Sequence, residues 1–134
     1  MKKTSNASLL ILYQAFKSNF ADLAQRADQR HLRVWDSIED SVYCWFESLA
    51  EEMNADMRGG QQHQTHAAIF EFFRQQFMLG DESVKNCIEV AWLEYLFWQV
   101  PAKLAASDWH TLPSVFKQLY VSFHQKSPVE PSSS

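Results

Sequence analysis

His63 and His66 stand three residues apart, a spacing that can bring two imidazoles to one side of a helix. A metal site needs three or four ligands, and no cysteine or acid lies near the pair in the sequence. They straddle the expected start of a helix and read as loop histidines. His31, His110 and His124 are isolated near expected helix ends. Glu89 and Glu94 are the other notable groups, set in the apolar run SVKNCIEVAWLEYLFWQV. On a helical wheel Glu94 is flanked by Val90, Phe97 and Trp98, which predicts a partly buried carboxylate. Such a group requires a hydrogen-bonding partner, or it protonates. An acid catalyst would need a second group at matched geometry, and none is visible. The sequence has no phosphate-binding glycine loop, nucleophile elbow, HExxH or paired Glu-x-x-His. No catalytic residue, metal or cofactor is expected.

The strongest chemical pattern is acidic. Val34–Met57 reads VWDSIEDSVYCWFESLAEEMNADM; it carries Asp36, Glu39, Asp40, Glu47, Glu51, Glu52 and Asp56, and no lysine or arginine. At about 100° per residue, Val34, Ile38, Val42, Trp45, Phe46, Leu49 and Met53 gather on one side of a helix. Asp36, Glu39, Asp40, Glu47 and Glu51 gather on the other, while Glu52 and Asp56 fall outside that sector. Like charges at i, i+4, as in Asp36/Asp40 and Glu47/Glu51, each cost about 0.2–0.5 kcal/mol. The face is either a solvated surface neutralised from another helix or a ridge for a positively charged partner. The five acids of that sector are the candidate partner-binding residues.

Positioning such a face requires long helices. Apolar residues recur at i, i+3, i+4 in every long segment, and no stretch alternates long enough for a strand. A first helix is expected over 6–28, capped by Thr4, Ser5 or Asn6, and a second over 33–57. Gly59-Gly60 and the polar QQHQ form a loop. Thr65 caps a third helix that Gly80 ends at C′. Asp81 or Ser83 caps a fourth helix reaching Gln99. Pro101 kinks it or begins a short separate helix. Thr111 caps the last helix, with Pro113 in its first turn. The fold class is all-α, a single-domain bundle of about five helices over 1–126, with a central buried fourth helix. Residues 127–134, within SPVEPSSS, are expected to be a disordered tail.

Composition supports one packed domain. The chain has 134 residues, of which 46% are hydrophobic and three are glycine, a poverty of turn residues that favours long helices over many strands. Its formal charge of −4 argues against nucleic-acid or anionic-membrane partners, which need a basic footprint. Cys44 and Cys87 lie in apolar helical contexts and form no CxxC, which fits free thiols in a reducing cytoplasm. MKKTSNASLLILYQAF opens like a signal peptide, but its apolar run is short. Leu9, Leu12, Tyr13, Phe16, Phe20 and Leu23 follow helical spacing, so an amphipathic helix of a cytoplasmic protein is expected.

The run ESVKNCIEVAWLEYL, Glu82–Leu96, resembles a bacterial domain family of unknown function associated with immunity proteins of contact-delivered toxins. Asn86 near the start of the helix and Trp92-Leu93-Glu94 carry the likeness; tryptophan stands where the family pattern has phenylalanine. The resemblance implies a small helical protein with a toxin partner, and it brings no contact residues with it.

Together these features predict an immunity-type protein, not an enzyme. It would neutralise a cognate toxin or bind another basic protein stoichiometrically, as a monomer or homodimer. A row of carboxylates can occupy the phosphate positions of a basic active site, and charge complementarity speeds association. The alternatives are a regulatory adaptor or secretion chaperone, which would dock through an apolar groove, and a small helical enzyme built around Glu94 or Glu89.

Overall fold

The computed structural model describes residues 2–129, with side chains from residue 7 onward. Among these residues there are seven α-helices and no strand. They are α1 Lys2–Asn19, α2 Ala21–Leu32, α3 Val42–Arg58, α4 His63–Leu79, α5 Glu82–Asn86, α6 Ala102–Thr111 and α7 Ser114–His124. A 3-10 turn, Glu39–Ser41, precedes α3, and a π-helical segment, Cys87–Leu93, continues α5. No helix among the described residues is long and apolar enough to cross a membrane. The all-α class holds; the expected count of about five helices was too low, because the first long segment splits into α1 and α2 and α6 stands as a separate helix after Pro101.

The first break is at Phe20, whose backbone leaves the helical region at φ −136°, ψ 61°. Asn19 Nδ2 donates to the Ala15 carbonyl at 2.8 Å, the local competition that makes asparagine a helix terminator. Phe20 turns onto the ring of Phe72. The second break removes most of the expected start of the acidic helix. Residues 33–38 are irregular, and α3 begins only at Val42. Ser41 Oγ donates to the Ser37 carbonyl at 2.7 Å, and Ser37 Oγ accepts the Asp40 N–H at 3.2 Å. Buried His31 closes the turn through Nε2, 3.0 Å from the Ser37 carbonyl.

Thr4, Ser5 and Asn6 do not begin α1, which already runs from Lys2, and their side chains lie outside those described. Of the expected tail, residues 130–134 lie outside the described residues, while Val129 packs against the core. Both cysteines are free. Gly80 follows α4 as expected, but with φ −80° it makes no left-handed cap. Its role is close approach: a Cβ there would sit 2.6 Å from Val84 Cγ1 and 2.7 Å from the Gln76 carbonyl.

The core is aromatic. Trp92 lies at its centre, 4.5 Å from the ring of Phe73, 5.7 Å from Phe116 and 6.0 Å from Phe70. Phe16, Trp45, Phe46 and Phe73 are fully buried beside it. The expected central segment is therefore central, with Cys87, Ile88, Ala91, Trp92 and Leu93 all at 0% exposure. It is not one α-helix to Gln99. Asp81 caps α5 by accepting the Val84 N–H at 2.9 Å. The chain then widens into the π-helical segment, and residues 94–99 form turns. Phe97 and Gln99 take positive φ, 72° and 56°, a conformation that costs of order 1–3 kcal/mol for such residues.

One side chain from α3 holds this turn. Buried Asn54 accepts the Phe97 N–H at 2.7 Å and donates to the Tyr95 carbonyl at 3.0 Å. Phe97 is thereby turned inward against Trp109 and Tyr120. Asn54→Ala leaves both backbone groups unmatched and is expected to cost about 2–3 kcal/mol. Urea unfolding checks this as a lower midpoint at unchanged slope; a midpoint equal to wild type would remove Asn54 as the turn's anchor.

Candidate binding face

Two polar constellations stand out, one inside the bundle and one on its surface. The inner one begins at the histidines. His63 lies in the first turn of α4, and fully buried His66 follows one turn later. Both face Asp108 of α6, itself fully buried. Asp108 Oδ1 is 2.5 Å from His63 Nδ1, and its Oδ2 is 2.5 Å from His66 Nδ1. The other nitrogen of His66, Nε2, is 3.3 Å from Asp56 Oδ2 of α3. A histidine with a carboxylate at each nitrogen uses both as donors, so it is an imidazolium. Burial alone would lower the His66 pKa, but its bonds to Asp108 and Asp56 outweigh this and raise it. Burial likewise opposes ionisation of Asp56, yet His66 and Arg26 hold its pKa below the usual carboxylate range.

The chain of charges continues into α2. Arg26 meets Asp56 with both terminal nitrogens, at 2.8 and 2.9 Å, and Arg30 Nε donates to Glu52 at 2.7 Å. Glu52, Asp56 and Asp108 thus balance Arg26, Arg30 and His66. The reading of His63 and His66 as simple loop histidines is corrected: they are the anchors of a buried ion network. No group of three or more possible metal ligands occurs among the described residues.

The expected acidic ridge is also corrected in its geometry. Asp36, exposed, lies in the irregular segment, and exposed Glu39 and Asp40 lie in the 3-10 turn. Only Glu47 and Glu51 share α3, both half-buried. Neither makes an ion pair with another described residue, in contrast to Glu52 and Asp56. Burial pushes the Glu47 pKa up.

What lies beside Glu47 and Glu51 was not legible. The turn that Asn54 holds brings Glu94, Tyr95 and Trp98 next to them. Glu51, Glu94, Tyr95, Trp98 and His124 line a surface groove of about 440 Å³. Glu94 is exposed, which overturns its expected role as a buried structural carboxylate. Trp98 is 59% exposed and Tyr95 39%. The Tyr95 hydroxyl is pushed to higher pKa, first by the charge of Glu47, with burial, Glu94, Cys44 and Glu51 adding to it. His124 is held on the groove wall: Nε2 donates to the Glu94 carbonyl at 3.1 Å, and its ring packs 4.2 Å from that of Tyr120. Arg58 donates to the Trp98 carbonyl at 3.0 Å.

A family model spans residues 13–126 of the chain. The chain belongs to that family, a domain of unknown function named DUF7674. The match takes in the Glu82–Leu96 segment and every residue of the groove, and its description carries no function. No curated protein and no solved structure matches this DUF7674 chain significantly.

The inner network sets a pH dependence. A histidine whose pKa is raised on folding contributes stability that is full below its unfolded value, about 6.5. That contribution is lost as pH rises through the higher folded value. Stability of the domain is therefore expected to fall as pH rises from about 6.5 through the folded value of His66. Imidazole NMR shifts give the direct check: His66 should titrate above the ordinary value of about 6.5, and a His66 that loses its proton at or below that value would refute the imidazolium.

Proposed function

We propose that this DUF7674 domain is an immunity-type binding protein. It neutralises a cognate toxin, or another basic protein, by stoichiometric docking that covers the partner's active site. The reading is supported by one observation above all. Glu47, Glu51 and Glu94 carry no ion pair among the described residues, and two of them line a groove with exposed Tyr95 and Trp98. The acids that face α2 are neutralised, whereas the acids around the aromatic groove are left as net negative charge. Interfaces anchor on buried aromatics ringed by polar groups, and unpaired charge steers an oppositely charged partner. Of the five acids read from the sequence, Glu47 and Glu51 belong to this face, and Glu94 joins them. Asp36, Glu39 and Asp40 lie outside the groove lining.

A regulatory adaptor or secretion chaperone is the second reading, favoured by the exposed apolar residues Leu32, Val34 and Trp35, with Val34 at 77%. The two readings differ in which residues control association. Copurification with the tagged protein from its native host supplies the partner. Glu51→Lys with Glu94→Lys should leave the fold intact, because Glu94 is exposed, Glu51 is only half-buried and neither has an ion-pair partner among the described residues to lose. Stopped-flow association at low salt is expected to slow by about tenfold or more, with a flatter salt dependence. Unchanged rates at two ionic strengths would sink the acidic docking face. Loss of binding in Val34→Ser with Trp35→Ala, with the charge-reversed protein unaffected, would favour the adaptor reading.

A further inference from the structure

We propose that the Trp98 groove seats an arginine side chain of the partner, and this rests on the docking face described above. The groove has two kinds of wall. Tyr95 and Trp98 offer exposed aromatic rings, and Glu51 and Glu94 offer carboxylate acceptors. His124 adds no free Nε2–H, since that donor is committed to the Glu94 carbonyl.

The backbone is arranged to display Trp98. The residues on either side of it, Phe97 and Gln99, have positive φ. Phe97 is locked inward by Asn54, and the Trp98 carbonyl is held by Arg58 at 3.0 Å. The indole consequently projects from a fixed turn, so little freedom is lost when it is covered.

A guanidinium matches this pairing of walls. It is planar, stacks on an indole, and carries five N–H donors that meet carboxylates in pairs. A lysine ammonium is compact and strongly hydrated, and it presents no plane to the ring. A quaternary ammonium would suit an aromatic cage but has no N–H for Glu51 or Glu94. The occupant that uses both walls is therefore arginine.

Three peptides of equal length, rich in arginine, lysine or citrulline, serve as probes for the full chain. Binding is followed by the Trp98 indole N–H resonance, assigned by its loss in Trp98→Ala, and by titration calorimetry. The arginine peptide is expected to bind about tenfold tighter than the lysine peptide, as a cation–π contact with partial desolvation gives. The citrulline peptide should not bind, because it keeps the planar shape without the charge. Trp98→Ala, a half-exposed site with an unchanged far-ultraviolet spectrum expected, should bring the arginine and lysine affinities together. Equal binding of arginine and lysine by the wild type, or a preference that survives Trp98→Ala, overturns the arginine seat while leaving the acidic face standing. No binding of either basic peptide overturns both.

Discussion

The bundle is organised around one buried cation. His66 lies at 0% exposure between Asp108 at 2.5 Å and Asp56 at 3.3 Å. Each carboxylate belongs to a different helix, so the imidazolium ties α3, α4 and α6 together, and Arg26 extends the tie to α2 through Asp56. Leaving one member of such a network unpaired typically costs about 3–5 kcal/mol. An apolar replacement of the whole set could be as stable, so burial of these charges is not explained by stability alone. What the network does is restrict register. A slide of α4 along α3 by one turn would carry His66 away from both acids, whereas the surrounding phenylalanines tolerate small shifts in packing.

That restriction passes to the surface through α3. Asp56, which accepts from Arg26, and Asn54, which holds the 94–99 turn, are two residues apart on the same helix. Fixing the position of α3 against α2 and α4 fixes where Asn54 meets the turn. The turn in turn sets Glu94, Tyr95 and Trp98 beside Glu51. The π-helical segment contributes from the other side: its widened backbone ends the central helix at Leu93, so that residues 94–99 double back with positive φ at two positions. Irregular backbone of this sort concentrates at functional sites. Here it has a definite product, an outward tryptophan and an inward phenylalanine separated by a single peptide bond.

The periodic core was legible from sequence because burial leaves an i, i+3, i+4 signature. Trp45, Phe46, Leu49 and Met53 fall where that pattern puts them. The groove was hidden because wheel arithmetic assumes a continuous helix. Glu94 sits beside Val90, Phe97 and Trp98 only on an α-helix, and the π-helical segment and turn void that geometry. The ion network was hidden for a different reason. His63 and His66 find their acid 45 and 42 residues away, and no local pattern encodes such a pairing. One signal was present: Asp108 interrupts the apolar helix AKLAASDWHT, and an acid there needs a partner. The count of helices failed at Asn19, and the SIEDS stretch shortened α3; at both, side chains compete for backbone hydrogen bonds.

The abundance of acid between Val34 and Met57 now has two causes, one for each half of its chemistry. Glu52 and Asp56 need no base within their own helix, because Arg26 and Arg30 reach them from α2. The arginine supply was simply upstream in sequence. Glu47 and Glu51 lie on the part of α3 that faces Tyr95 rather than α2, and neither pairs with an arginine among the described residues. Desolvation already disfavours charge at Glu47. A surface selected only for solubility would relieve this with a single lysine. The groove instead adds a third carboxylate, Glu94, and two aromatic rings. That arrangement is unfavourable in the free protein, and a cationic group from outside the chain would relieve it. The same charge sorting that stabilises the α2–α3 contact therefore leaves, at the groove, an attraction that the fold does not satisfy by itself.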